Sequence, residues 1–263
     1  MQSLPRGITF MTVFRFLTRH PLPMQAHFEH VLVLTYALPD TILRPLMPPG
    51  LLLDTYENYG FLAIAMVQTR NMRPRFMPRV FGRDFFLTGY RIFTRYRTRS
   101  GKLLRGLRIL RSDTDSDFMV RWGNRLTHYG YREAIVDYCR NDRLLEIKVQ
   151  TPSGEADLHV RAHLGEETAP LPPDSPFPNP QVARKFAGPL PFTFDYEEET
   201  DSIVRVQGVR QEWDPTTIRV EVLQNTFIEK EPFSGSHPIL ASAFHLSNVP
   251  YKWRRGVREA VTA

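Results

Sequence analysis

The sequence predicts a mostly antiparallel α+β domain of barrel-like form, on three observations. About ten segments carry strand chemistry, rich in Val, Ile, Leu, Tyr and Phe and bounded by Gly, Pro, Asn and Asp. Helical patterns are few and short, and they do not alternate with strands as βαβ units would require. One stretch, Phe85 to Tyr131, holds a strand, a tight turn, a second strand and an amphipathic helix in a single consistent unit.

Taken in order, Ala26 to Ala37 reads as a strand, with Glu29 and His30 early in it. Pro39-Asp40 stops it, and Asp40 is placed to cap a short helix over Thr41 to Met47. After Pro48-Pro49-Gly50, strands are expected over Leu51 to Tyr56 and Tyr59 to Thr69. Arg70 to Asp84 mixes five arginines with two prolines, which suits neither helix nor strand and reads as a surface loop. Its Phe76, Met77 and Phe81 are expected to pack back onto the barrel, with nucleic-acid contact or cover of a pocket mouth as the alternatives.

In the central hairpin, pairing Arg97 with Lys102 sets Ile92 against Leu107, Tyr90 against Ile109 and Tyr96 against Leu103. The same register places Arg91 directly across from Arg108. Like charges so placed repel, so either water separates them or an anion sits between. Ser112 to Asp115 reads as an acidic cap, followed by a helix burying Phe118, Trp122 and Leu126 at four-residue spacing. No histidine stands at ligand spacing near Asp113, Asp115 and Asp117, so no metal is expected. His128, at the end of that helix, suits a C-terminal dipole partner or a catalytic base.

Arg132 to Tyr138, Leu144 to Gln150 and Asp157 to His163 read as further strands. Residues 166–180 hold six prolines and read as an exposed loop, and Gln181 to Ala187 as a short helix. Ile203 to Trp213 and Thr217 to Leu223 read as a hairpin around Asp214-Pro215. Ile239 to Trp253 leads into a basic tail, Lys252 to Arg255. The expectation is one domain over 1–263, with 1–25 as an N-terminal arm: Arg15 interrupts the apolar run from Ile8, which argues against a signal peptide.

With 42% hydrophobic and 24% charged residues the chain is of ordinary globular composition. No apolar run approaches the ~18 residues of a membrane span, so no membrane partner is expected. Cys139 is the single cysteine, which excludes an intramolecular disulfide and points to a reducing, cytoplasmic setting. Only five residues are lysine, so the net charge of +6 is carried by arginine. Its planar fork matches carboxylate and phosphate. An arginine-biased genome with solvated guanidinium groups is the bland alternative. No P-loop, dinucleotide fingerprint, HExxH, CxxC or GxSxG is present, and no cofactor is expected.

Three segments together resemble the acetoacetate decarboxylase-like superfamily, in its YqjF-like bacterial branch, a domain of unknown function. They are Tyr36 to Leu51 (YALPDTILRPLMPPGL), Val206 to His237, and Ile239 to Trp253 with its Val-Pro-Tyr-Lys-Trp ending. The resemblance implies a cone-like antiparallel barrel with a buried pocket, often in an oligomer. The family's Schiff-base lysine matches Thr127 or His128 here, its hairpin glutamate falls near Leu87-Thr88, and its arginine near Glu29. Without an amine at that place no imine forms. The resemblance therefore implies the fold without acetoacetate-type decarboxylation.

The reading from sequence is a barrel pocket for a small acidic, keto- or hydroxy-acid-like metabolite. Arg91 and Arg108 are expected to grip the carboxylate, and Trp122, Thr127 and Tyr131 to line the wall. His128, with Glu29 as a weaker partner, is the expected acid or base if a reaction occurs, which stays open. A homo-oligomer is among the expected partners. The alternative is a basic surface, Arg70 to Arg83 with the tail, binding an acidic partner. No recognised motif supports nucleic acid.

Overall fold

The computed structural model describes residues 17–165, 169–188, 190–210 and 213–261. Most of the expected N-terminal arm, residues 1–16, and the start of the proline-rich segment, 166–168, lie outside them. Among the described residues the strands are β1 Met24–Pro39, β2 Leu51–Leu53, β3 Tyr59–Pro74, β4 Arg83–Arg97, β5 Leu103–Thr114, β6 Tyr131–Glu133, β7 Ile135–Arg140, β8 Leu144–Gln150 and β9 Leu158–His163. They continue with β10 Phe192–Glu197, β11 Ser202–Arg210, β12 Thr216–Thr217, β13 Arg219–Asn225, β14 Ile239–Trp253 and β15 Val257–Ala260. Helices are short, as expected, and none is long and apolar enough to cross a membrane.

The larger sheet returns on itself. From β14 the ladder runs through β1, β3, β4, β5, β10 and β11, and β11 pairs with β14 at Gly208–Trp253 and Arg210–Tyr251. Pairing is antiparallel except β5 with β10 and with β6. A second sheet, β13-β9-β8-β7, covers the outside of the ring. Its Leu145, Ile147, Leu158 and Val160 join Leu32, Leu34, Leu62 and Ile64 of β1 and β3 in one core.

This arrangement explains why β1 and β3 are apolar on both faces rather than alternating. On β3, Leu62, Ile64 and Met66 face the outer core, while Ala63, Ala65 and Val67 face inward. The large side chains sit outside and the small ones inside, so the ring interior keeps open space.

Several boundaries differ from expectation. β3 runs on to Pro74, taking the first residues of the expected loop. Ser112, Asp113 and Thr114 are buried in β5 instead of capping a helix, and Asp113 is held by Arg111 Nε at 2.8 and 2.9 Å. The expected long helix is a π-helical turn, Met119–Gly123, followed by Asn124–Leu126. It buries Met119 and Gly123, while Phe118 and Trp122 are exposed. The strand expected over Arg132 to Tyr138 divides at Ala134, where the chain leaves the ring for the second sheet. The expected β11–β13 hairpin does not form, because β13 pairs with β9. The proline-rich segment is not wholly exposed: it buries Ala169 and Phe177, the latter stacked on Phe61 at 5.2 Å. Helix Pro180–Ala187 begins as its sequence suggests, with Asn179 Oδ1 accepting from Val182 N and proline in the first turn.

The hairpin register is shifted by one residue from Arg91 to Arg97, and by two beyond a bulge at Tyr90/Arg91. Thr98 to Lys102 form a five-residue loop, closed by Thr98 N to Lys102 O, and Arg97 pairs with Leu103. Arg91 therefore faces Ile109, Arg108 faces Ile92, and the two arginines lie on opposite faces. The like-charge pair is Arg95 with Arg105, and the anion between them is internal. Asp54, fully buried, accepts from each guanidinium Nε at 2.5 Å.

Candidate functional site

All seven ring strands contribute to one interior cavity of about 440 Å³. Its wall is apolar over most of its extent, with Val31, Val33, Ala63, Ala65, Val67 and Ile109 on the strands. Phe93 lies on the wall and stacks with Phe61 at 5.8 Å, beside Phe177 and Phe186. Met77 and Phe81 from the β3–β4 connection, with Phe118 and Trp122 from the π-helical turn, carry the lining out to exposed surface. Among the described lining residues there is no Asp, Glu or Lys.

Two arginines point into this apolar space. Arg91 projects from the middle of β4 and makes no hydrogen bond or ion pair among the described residues, and its Nε is buried without a partner. It is enclosed by protein, and the surface it keeps faces the cavity. Burial lowers its pKa from the usual arginine value, opposed by the hydroxyl-bearing rings of Tyr251, Tyr129 and Tyr131. The guanidinium lies back over Gly89, where a Cβ would stand 2.8 Å from both Nε and Nη2. Gly89 is what admits it.

Arg210, at the end of β11, is the second. Its guanidinium carbon lies 3.8 Å from the Trp213 ring centre and 5.8 Å from that of Tyr251, with one Nη2 buried and unbonded. Burial lowers its pKa too, and Arg91 acts in the same direction. Tyr251 joins the two arginines and stacks on Phe28 at 4.7 Å. Its hydroxyl occupies the space above Gly208, 1.9 Å from where a Cβ would sit. The site is thus two weakly compensated cations on an apolar wall, an arrangement suited to one anionic group with an apolar body.

Of the residues expected from sequence, Arg91, Trp122, Thr127 and Tyr131 line the cavity. Thr127 Oγ1 donates to Gly123 O at 2.9 Å. Arg108 is half-buried outside it, opposite Ile92. Glu29 is outside as well, paired with Arg70 at 2.7 Å. His128 lies in a small neighbouring cleft, 3.1 Å from Thr18 Oγ1 and 3.8 Å from both Asp195 and Glu197. Burial lowers its pKa, against the pull of Glu197 and Glu199. Sequence reasoning missed Arg210, Tyr251 and His20. The available signal was an arginine two residues after a glycine on an inward face: Gly89-Tyr90-Arg91 and Gly208-Val209-Arg210.

His20 is the histidine on the described cavity lining. It is buried, its Nδ1 has no partner, and burial drops its pKa to about 4. Its imidazole is therefore neutral near pH 7. On the outer face His30 Nδ1 and His245 Nε2 stand 3.1 Å apart, and burial and the neighbouring His30 bring His245 to about 4. No group of three or more His, Cys, Asp or Glu among the described residues is placed to hold a metal ion.

These shifts set a pH dependence. An imidazole whose folded pKa is depressed adds stability that is complete above pH ~6.5 and is lost as pH falls toward the folded value. Asp113 acts oppositely, because burial raises its carboxyl to about 6: its contribution is complete below pH ~4 and is lost as pH rises through 6. Four imidazoles lowered by burial, those of His20, His30, His128 and His245, against one raised carboxyl leave a net loss of stability on acidification below pH ~6.5. The melting temperature is expected to fall over that window in wild type and to fall less steeply in His20→Gln, as differential scanning calorimetry against pH will read.

A family model, DUF2071, described as an uncharacterized conserved protein (COG2071), matches residues 25–249. No curated protein matches the chain. Among solved structures, the acetoacetate decarboxylase of Legionella pneumophila is similar at 14% identity and a TM-score of 0.57, over 98% of this chain and 92% of that one. The enduracididine biosynthesis enzyme MppR complexed with pyruvate gives 10% and 0.61, over 92% of each chain. An acetoacetate decarboxylase-like enzyme from Sphingomonas wittichii RW1 gives 10% and 0.58, over 92% of this chain and 94% of that one. At these identities the likeness is one of fold.

Proposed function

The chain belongs to the DUF2071 family and has the acetoacetate decarboxylase-like fold, and from that premise we propose that it binds an organic acid inside the ring. Arg91 and Arg210 hold the carboxylate, and the wall from Val31 to Ile109 holds an apolar body. The observation that carries this reading is the Arg91 guanidinium, enclosed among apolar side chains with no carboxylate to pair with among the described residues. A buried cation without a counterion is costly, and a ligand carboxylate removes the cost. MppR, a structural neighbour, is complexed with pyruvate. The cavity here leaves room for an acid of that headgroup class with several more carbons, since about 440 Å³ lies within the ~300–1,000 Å³ of small-molecule sites. With no lysine on the described lining, imine catalysis is not part of the reading.

The test is thermal stabilisation by pyruvate, 3-phenylpropanoate and octanoate, in wild type and in Arg210→Ala. At ~100 times its dissociation constant an acid adds about 2.7 kcal/mol, a rise of roughly 5–10 °C. The longer acids are expected to stabilise wild type more than pyruvate does. Arg210→Ala is expected to bind about tenfold more weakly, the loss of one charge-assisted contact. Equal shifts in both proteins, or none with any acid, contradict the reading.

A further inference from the structure

We propose that the rim of the cavity mouth is a docking surface for an anionic lipid layer. The connection from β3 to β4 presents Phe76, Val80 and Phe81 at 69%, 83% and 58% exposure, where the sequence suggested that Phe76 and Phe81 pack back onto the barrel. Across the opening Trp122 and Phe118 are 49% and 42% exposed. Phe81, Phe118 and Trp122 line the same cavity, and the Arg83 guanidinium, 5.2 Å from the Phe118 ring centre, bridges the two segments.

The apolar side chains are displayed by a tied loop. Arg75 N bonds Pro23 O, Phe81 N bonds Pro78 O and Gly82 N bonds Arg79 O. Arg73 Nε and Nη1 hold Met77 O and Asn71 O. A fixed loop holding several large apolar groups in water calls for a partner.

Charge selects the partner. Arg75, Arg79, Arg83, Arg121 and Arg125 are all exposed around the rim. Of the nearby carboxylates, Asp84 is held by Arg70 and by Asn71 N, and Asp115 by Phe86 N, which leaves the exposed Asp117, beside Phe118, against five arginines. A second copy meeting this face across a two-fold axis would oppose arginine to arginine. Phosphate backbone would neutralise the guanidinium groups but leave Val80 in water. An anionic lipid layer satisfies both sets, headgroups meeting the arginines and Phe76, Val80 and Trp122 entering the interface. The mouth then opens onto the layer, and an amphipathic ligand passes between the two without crossing bulk water. The contact lies on the surface, so it requires no spanning helix.

The experiment is sedimentation of the full chain with vesicles of mixed phosphatidylglycerol and phosphatidylcholine, and of phosphatidylcholine alone, with duplex DNA as a competing polyanion. Phe76 and Val80 are off the cavity lining, so their variants leave the site intact and octanoate binding checks it. Wild type is expected to sediment with the mixed vesicles only. Arg75→Glu/Arg79→Glu is expected to lower partitioning by more than tenfold, at about fivefold per charge lost. Phe76→Ala/Val80→Ala is expected to bind at low salt and release at physiological salt, because apolar insertion resists screening and charge attraction does not. Failure of wild type to sediment overturns the proposal. So does tighter binding to DNA than to vesicles, or vesicle binding that the Phe76/Val80 change leaves untouched at physiological salt. So does conversion of an oligomer to monomer by these variants with no vesicle effect, which assigns the face to a second copy. Loss of octanoate binding bears on the cavity reading alone.

Discussion

Arg91→Met is expected to raise the melting temperature of the ligand-free protein while abolishing tight binding of acids. Methionine has a similar length, carries no charge and suits an irregular apolar space. Arg91 is enclosed, has no ion-pair partner among the described residues and has an unbonded Nε. Removing that cation is expected to stabilise by about 1–3 kcal/mol, a rise of roughly 3–10 °C for a chain of this size. A purely structural arginine would behave oppositely, since its loss would break bonds. The opposed signs in stability and binding mark a group kept for its ligand. Differential scanning calorimetry of the two proteins without ligand reads the first sign, and a fall in melting temperature in Arg91→Met contradicts it.

Asp54→Ala is expected to be the most destabilising single change at the ring. Asp54 is fully buried and separates Arg95 from Arg105, which face each other directly across β4 and β5. Without it two guanidinium groups are left opposed. Arg105 also donates to Phe186 O at 2.9 Å and lies 4.6 Å from that ring centre. Phe186 belongs to the aromatic group with Phe61, Phe93 and Phe177 behind the cavity wall. Breaking a buried pair costs about 3–5 kcal/mol, and because both arginines are about one-third exposed a loss of about 2–4 kcal/mol is expected. The midpoint of urea unfolding will read it. Adding Arg105→Leu to Asp54→Ala is expected to recover part of the loss, because it removes the repulsion. A double variant no more stable than Asp54→Ala rejects this account of the pair.

The strand content was legible because apolar runs and turn residues are local. β8 falls where the sequence put it, and the ends of β1 and β4 are within two residues. The hairpin register was not, since one more residue in the Thr98–Lys102 loop moves every partner from Arg91 to Arg97 by one, and a bulge at Tyr90/Arg91 adds another beyond. That slip made Arg108 a cavity candidate and hid the pairing of Arg95 with Arg105 around Asp54. The anion inferred between opposed arginines exists, but it comes from a residue 41 positions before Arg95, a distance no local pattern spans. The helix stripe failed for another reason. Four-residue spacing reports amphipathicity without saying which side is wet, and the side with Phe118 and Trp122 faces the mouth. Arg91 was found through its hairpin, whereas Arg210 has no such frame in a chain this rich in arginine.

The most direct test of the central claim is calorimetric binding of octanoate and octan-1-ol to wild type and to Arg91→Met. The two ligands share an apolar body and differ in charge, so their ratio isolates the guanidinium. Wild type is expected to prefer octanoate by more than tenfold, at about 1.5–3 kcal/mol for a charge-assisted contact. Arg91→Met is expected to lose that preference while still binding octan-1-ol. If Arg91→Met binds octanoate as tightly as wild type does, the carboxylate is not held where the unpaired arginine stands, and the account fails at its centre.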